Sequence, residues 1–74
     1  MLEKVIQYFE KEYEETKKYL ENGRYCDTPQ SIVKSTIQGC LGVAMFSQSC
    51  GVAFEDVNPH YEEIVKKLKK LLDN

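Results

Sequence analysis

Apolar residues recur along the first 22 residues at the three- and four-residue spacing of a single helical face. Glutamate and lysine occupy most of the positions between them, as expected for the solvent-facing sides of an amphipathic helix. Gly23 follows and can take the left-handed backbone conformation that commonly ends a helix. The pattern predicts a first helix over about residues 2–22. Its apolar stripe consists of Leu2, Val5, Ile6, Phe9, Tyr13, Thr16 and Leu20.

The next apolar segment predicts a second helix over about residues 29–50, with Thr28 as its N-cap and Pro29 at its first position. Its apolar residues spread over more than one helical face, unlike those of the first helix. The small residues Gly39, Cys40, Gly42 and Ala44 predict close packing against another helix. The expected core face is Val33, Thr36, Ile37, Cys40, Val43, Ala44 and Ser47, flanked by Ile32, Phe46 and Cys50.

A second cap-plus-proline signal, Asn58-Pro59, predicts a third helix over about residues 59–72. The preceding turn carries Phe54 and Val57, which we expect to close the end of the bundle. The apolar residues of the third helix form one narrow stripe, which indicates one buried face. That stripe consists of Tyr61, Ile64, Val65, Leu68, Leu71 and Leu72.

Three helices joined by short loops predict an all-α fold, a compact three-helix bundle with a long central helix, formed by residues 1–74 as a single domain. A chain of 74 residues has a small core, which rarely supplies more than ~3–5 kcal/mol of stability. Folds of this size often need additional stabilisation from disulfides, a metal or a second subunit, and dimerisation could complete this bundle.

The side of the second helix opposite its core face carries two stacked apolar residues, Leu41 and Met45, beside Gln38. Tyr8 and Tyr19 lie together on the first helix, away from its apolar stripe. We interpret these five residues as an interaction surface for a second copy or another protein. The alternative is that two exposed apolar residues are ordinary surface variation.

Composition limits the remaining function classes. The net charge is −2 with acids and bases interspersed, so we do not expect a nucleic-acid surface. Four lysines near the C-terminus are explained by the helix macrodipole, which favours cations at the C-terminal end of a helix. No apolar run is long enough for a membrane span, and the N-terminus does not resemble a signal peptide. Three cysteines without a close pair favour a reducing compartment, so we expect a cytoplasmic protein.

The sequence predicts no enzyme, no metal and no cofactor. Cys40 and Cys50 lie ~15 Å apart along one helix, too far to share an ion or a disulfide. Cys26 with His60 would supply only two ligands. Cys26 is also the one thiol near a helix N-terminus, but with a single histidine and no oxyanion loop it does not make an active site.

The segment Ser47-Gln-Ser-Cys-Gly51-Val52, with Val57 beyond it, resembles the helix-turn-helix of DNA-binding regulators in its small residue, turn glycine and later apolar position. The resemblance covers about 20 residues. It implies a DNA-binding regulator as the alternative function. Glu55 and Asp56 depart from the pattern, because they would open the recognition helix and repel phosphate, and Pro59 would lie inside that helix.

Overall fold

A computed structural model describes residues 1–23 and 27–73, which form three α-helices and no strand. Helix α1 spans Leu2–Asn22, α2 spans Pro29–Ser49 and α3 spans Phe54–Lys70, followed by a 3₁₀ turn over Leu71–Asp73. The predicted all-α, three-helix fold is confirmed. The central helix is not the longest, since α1 and α2 each contain 21 residues.

The ends of α1 and α2 form as their sequence signals predict. Gly23 ends α1 with φ at 70°, in the left-handed region. The hydroxyl of Thr28 accepts a hydrogen bond of 3.1 Å from the backbone N–H of Ser31, so that one of the unpaired amides of the first turn is satisfied. The Asp27 carboxylate accepts from the backbone N–H of Thr28 and from the Ser31 hydroxyl. These bonds fix where α2 begins.

The three helices run alternately up, down and up. Thr16 of α1 and Thr36 of α2 share a hydrogen bond of 2.8 Å, in line with antiparallel packing of these two helices. Phe9 of α1 meets Tyr61 of α3 with ring centroids 6.5 Å apart. Further along both helices, the Lys67 ammonium lies 4.8 Å from the centroid of the Tyr13 ring. Helices α1 and α3 are therefore parallel, and α2 lies antiparallel to both.

The core contains few large side chains. Leu68 is fully buried and is the largest of the fully buried residues. The stripes predicted for α1 and α3 are confirmed, because their members are buried or half-buried. A small core of this kind leaves a narrow margin of stability. The buried apolar residues are Val5, Phe9, Val33, Cys40, Ala44, Val57, Ile64 and Leu68.

Helix α3 begins at Phe54, five residues before the predicted start at Pro59. The Asn58-Pro59 signal is therefore wrong as a helix start. The Asn58 side chain instead donates a hydrogen bond of 2.9 Å to Glu62, one turn along the helix. Starting at Phe54 places Val57 in the core and puts two acidic residues in the first turn, where the macrodipole favours them. These gains offset the amide bond that Pro59 cannot make.

Three residues expected in the core are exposed. Phe46 lies ~120° around α2 from the buried Cys40, outside the arc that the neighbouring helices cover, and is 64% exposed. Cys50 follows the last turn of α2 and is exposed. Phe54 occupies the first position of α3 and is 58% exposed, so only Val57 closes that end of the bundle as predicted.

The Thr16–Thr36 pair is a polar contact inside the bundle, and it gives a test of the packing. Thr36 also donates to the Ile32 carbonyl at 3.2 Å, so Thr16 donates to Thr36. Thr36→Val leaves the buried Thr16 hydroxyl without its partner, and we expect a loss of about 1–3 kcal/mol in the free energy of unfolding.

Thr16→Val combined with Thr36→Val removes both hydroxyls and is the matched control. We expect the double variant to recover most of that stability in chemical denaturation, because no unpaired group remains. Equal losses in the single and double variants would contradict a buried hydroxyl pair.

Candidate interaction surface

The exposed residues of α2 all fall within one arc of about 180° on the helical wheel. The opposite arc carries the buried residues Val33, Cys40, Ala44 and Ser47. We call the exposed arc the α2 outer face. It consists of Gln30, Lys34, Ser35, Gln38, Gly39, Leu41, Gly42, Met45, Phe46, Gln48 and Ser49.

The α2 outer face is nearly free of charge. Lys34 is the one acidic or basic residue in all of α2, whereas α1 carries ten and α3 carries eight. Solvent-facing helix surfaces are normally rich in charged residues, and depletion of charge is a mark of the centre of protein interfaces. The low charge of α2 is thus typical of a helix that is buried on both faces, although its outer face is exposed to solvent in the single chain.

Large apolar side chains cluster on this face. Leu41 is 43% exposed, Met45 is 59% exposed and Phe46 is 64% exposed. Met45 lies one turn from Leu41 along one edge of the face, and Phe46 lies ~100° around the helix from Met45, along the other edge. The exposure predicted for Leu41, Met45 and Gln38 is confirmed. The prediction that Phe46 flanks the core is wrong, and its wheel angle alone sets it well off the core centre.

Two glycines interrupt the apolar cluster. A Cβ atom built at Gly42 meets nothing within 4 Å, and one built at Gly39 would lie 3.5 Å from the Tyr8 hydroxyl, an ordinary contact. The predicted close packing is confirmed for Cys40 and Ala44, which are buried. It is wrong for Gly42 within one chain, because no neighbouring helix approaches it.

Tyr8 and Tyr19 lie on the α1 side of α2 and not beside Leu41 and Met45. Tyr8 is half-buried, and its hydroxyl approaches α2 at Gly39, which is ~120–160° around the helix from Met45 and Leu41. A hydrogen bond to Glu12, together with burial, raises the pKa of Tyr8 to about 12. Tyr19 is 45% exposed and lines the groove between α1 and α2. The five predicted residues therefore divide between two surfaces.

The groove between α1 and α2 encloses about 540 Å³ and carries carboxylates and hydroxyls. Four of its polar residues are paired with one another: Asp27 accepts from Ser31, and Thr16 pairs with Thr36. Among the described residues, no buried side-chain nitrogen or oxygen lacks a hydrogen bond.

The cysteines of the described segments have different environments. Burial raises the pKa of Cys40 to about 11, so this thiol stays protonated near neutral pH and is a poor nucleophile. Cys50 is exposed, which contradicts its predicted core role. The predictions that concern Cys26 lie outside the described residues. Within residues 1–23 and 27–73, no three His, Cys, Asp or Glu side chains are grouped to hold a metal ion.

The first turn of α3 corresponds to the start of the recognition helix in the helix-turn-helix resemblance. It carries Glu55 and Asp56, and Pro59 lies within the helix. Acidic residues at this position would face the phosphates of a DNA duplex. These observations do not favour the DNA-binding alternative.

Among the described helices, none combines the length and the apolar character that crossing a membrane requires. Comparisons of the chain with protein-family models, with curated proteins and with solved structures found no match.

Proposed function

We propose that the protein is a small helical interaction module without catalytic activity, and that it associates with a second copy of itself through the α2 outer face. The observation that carries this proposal is the cluster of Leu41, Met45 and Phe46 on a helix face whose one charged residue is Lys34. Burying apolar surface contributes roughly 25 cal/mol for each Å² removed from water. A second copy offers the same apolar surface and brings little charge with it.

Association would also raise the stability of the single chain, which has only a small core. Any partner that binds only the folded state raises the apparent stability in proportion to the logarithm of its concentration. The same gain is a larger share of the total stability for a bundle whose largest fully buried side chain is Leu68 than for a large domain. We therefore expect the midpoint of thermal unfolding to rise with protein concentration.

Sedimentation equilibrium tests the proposal. The wild-type chain has a mass of 8.6 kDa, and we expect the apparent mass to approach twice this value as concentration rises. The double variant Leu41→Glu, Met45→Glu places four carboxylates in the dimer interface without partners. Because an unpaired charge in an interface costs several kcal/mol, we expect the dissociation constant to rise at least ~100-fold.

Lys69→Gln combined with Lys70→Gln is the matched control. Both lysines are exposed on α3, and their replacement lowers the net charge by two, as the glutamate variant does. The control should keep the dimer, which would separate an effect at the interface from an effect of total charge. A wild-type protein that stays monomeric at all concentrations would overturn the proposal.

A further inference from the structure

The small residues of the α2 outer face repeat at heptad spacing. Ser35, Gly42 and Ser49 are seven residues apart and follow the middle of the face, and Gln38 and Met45 form a second row with the same spacing. We call the row of Ser35, Gly42 and Ser49 the seam. A seven-residue repeat keeps such a row facing a partner helix when two helices cross at a shallow angle. Small side chains along that seam let the two backbones approach closely.

Gly42 lies at the centre of this seam and has no role within its own chain. Glycine inside a helix costs roughly 0.5–1 kcal/mol relative to alanine, and the space around Gly42 is open. A second helix crossing at this point would occupy that space. The closest approach of the two backbones would then fall at the residue whose side chain is smallest.

We infer that two copies pair through antiparallel α2 helices around a twofold axis at Gly42; this inference rests on the proposed function and specifies its geometry. The axis places position 42 + n of one helix at the level of position 42 − n of the other. Ser49 thereby meets the partner's Ser35. This arrangement is self-complementary, because each contact occurs twice.

Large side chains then face small ones along one edge of the seam. Phe46 lies on the α1 side of the seam, at the level of position 38 of the partner, and therefore between the partner's Gly39 and Ser35 on that side. The exposed ring would therefore cover a strip of backbone and small side chains. In a parallel pair, by contrast, the two Phe46 rings would meet each other and Ser35 would meet Ser35, which leaves a gap between small residues.

Apolar residues meet each other along the opposite edge. Leu41 and Met45 both lie on the side of the seam away from Gly39. The twofold axis brings Met45 of each copy to the level of position 39 of the partner, between the partner's Leu41 and Gln38 on this edge. Leu41 and Met45 would then both be covered by the same contact, and the flexible Met45 side chain can adapt to it.

Electrostatics also favour the antiparallel orientation. The last turn of α2 has no basic residue, so the carbonyl end of its macrodipole has no cation within the helix, whereas the Asp27 carboxylate already lies at its N-terminal end. An antiparallel pair places each N-terminal end beside the partner's C-terminal end. Lys34 then lies at the level of the carbonyl end of the partner's α2, which has no basic residue of its own.

Disulfide trapping tests this geometry. Helix axes ~8 Å apart bring facing Cα atoms within the ~7 Å that a disulfide spans. Ser35→Cys and Ser49→Cys are made separately with Cys26→Ser and Cys50→Ser, while the buried Cys40 is kept. We expect a mixture of the two proteins in a glutathione redox buffer to form the linked dimer at least ~10-fold more than either protein alone. Proteolysis and mass spectrometry then identify the peptide that joins positions 35 and 49.

Gln48→Cys provides the matched control. It is adjacent to Ser49 in sequence but projects ~100° away around the helix, so its mixture with Ser35→Cys should link poorly. Links from Ser35→Cys to itself and from Ser49→Cys to itself, formed as readily as the mixed link, would overturn the antiparallel pairing. So would the absence of a 35–49 link in a protein that sediments as a dimer, while leaving self-association itself in place. A monomeric wild type overturns both proposals.

Discussion

Replacing Leu68 with alanine is expected to leave a large fraction of the protein unfolded at 25 °C. Leu68 has no exposed surface and is the largest of the fully buried side chains. Truncating a buried leucine to alanine costs about 2–5 kcal/mol, because transfer free energy is lost and a cavity remains. A core of this size supplies only ~3–5 kcal/mol in total. Urea denaturation followed by circular dichroism at low protein concentration measures the loss.

Leu72→Ala is the control for the leucine truncation. Leu72 is half-buried at the C-terminal end of the stripe, one turn beyond Leu68, so its truncation removes less buried surface and leaves an opening to solvent. We expect it to cost less than half as much as Leu68→Ala. Equal costs at both positions would contradict the packing described for α3.

Pro59→Ala is expected to stabilise the protein by about 1–3 kcal/mol. Pro59 is the sixth residue of α3 and is exposed, and it has no amide hydrogen to donate to the carbonyl of Glu55 four residues earlier. Alanine restores that bond and removes the clash of the proline ring with the same carbonyl. The midpoint of urea unfolding reports the gain.

Pro29→Ala provides the matched comparison, because Pro29 occupies the first position of α2, where no amide bond is lost. We expect this variant to be neutral or slightly less stable than the wild type. A loss of stability in Pro59→Ala would instead indicate that α3 begins at the Asn58-Pro59 signal.

The helix ends show which local signals determine structure in this chain. Thr28-Pro29 and Gly23 act within a few residues: one supplies a side-chain cap and the other a left-handed conformation. Such signals can be predicted from sequence because their partners are close along the chain. Asn58-Pro59 has the same local chemistry but does not start a helix, since burial of Val57 requires α3 to begin earlier. Tertiary packing outweighed the local preference.

Side-chain exposure on α2 could be predicted only in part. Leu41 and Met45 lie so far from the core face that no arrangement of two neighbouring helices would cover both. Phe46 lies as far around the helix from the buried residues as Met45, so its wheel angle also indicates exposure. Which residues of α1 pack against α2 depends on the position of α1, and the sequence does not contain that position. Tyr8 joins the helix interface for the same reason, since its hydroxyl reaches Gly39 across the two helices.

Weak stability and self-association would together make the folded population depend on concentration. The Thr16–Thr36 bond and the fully buried Leu68 stabilise the single bundle, whereas the α2 outer face contributes only when a second copy is present. A face limited to one helix buries an area near the low end of specific interfaces, so we expect reversible rather than permanent dimers.

Intermolecular nuclear Overhauser effects test the central claim most directly. A sample that mixes isotope-labelled and unlabelled copies reports only contacts between chains. The proposed pairing predicts cross-peaks from the Met45 methyl group to the partner's Leu41 methyl groups, and from the Phe46 ring to the partner's Ser35 and Gly39. Intermolecular cross-peaks that involve only residues outside the α2 outer face would contradict a dimer built on this face. So would the absence of any intermolecular cross-peak at millimolar protein concentration.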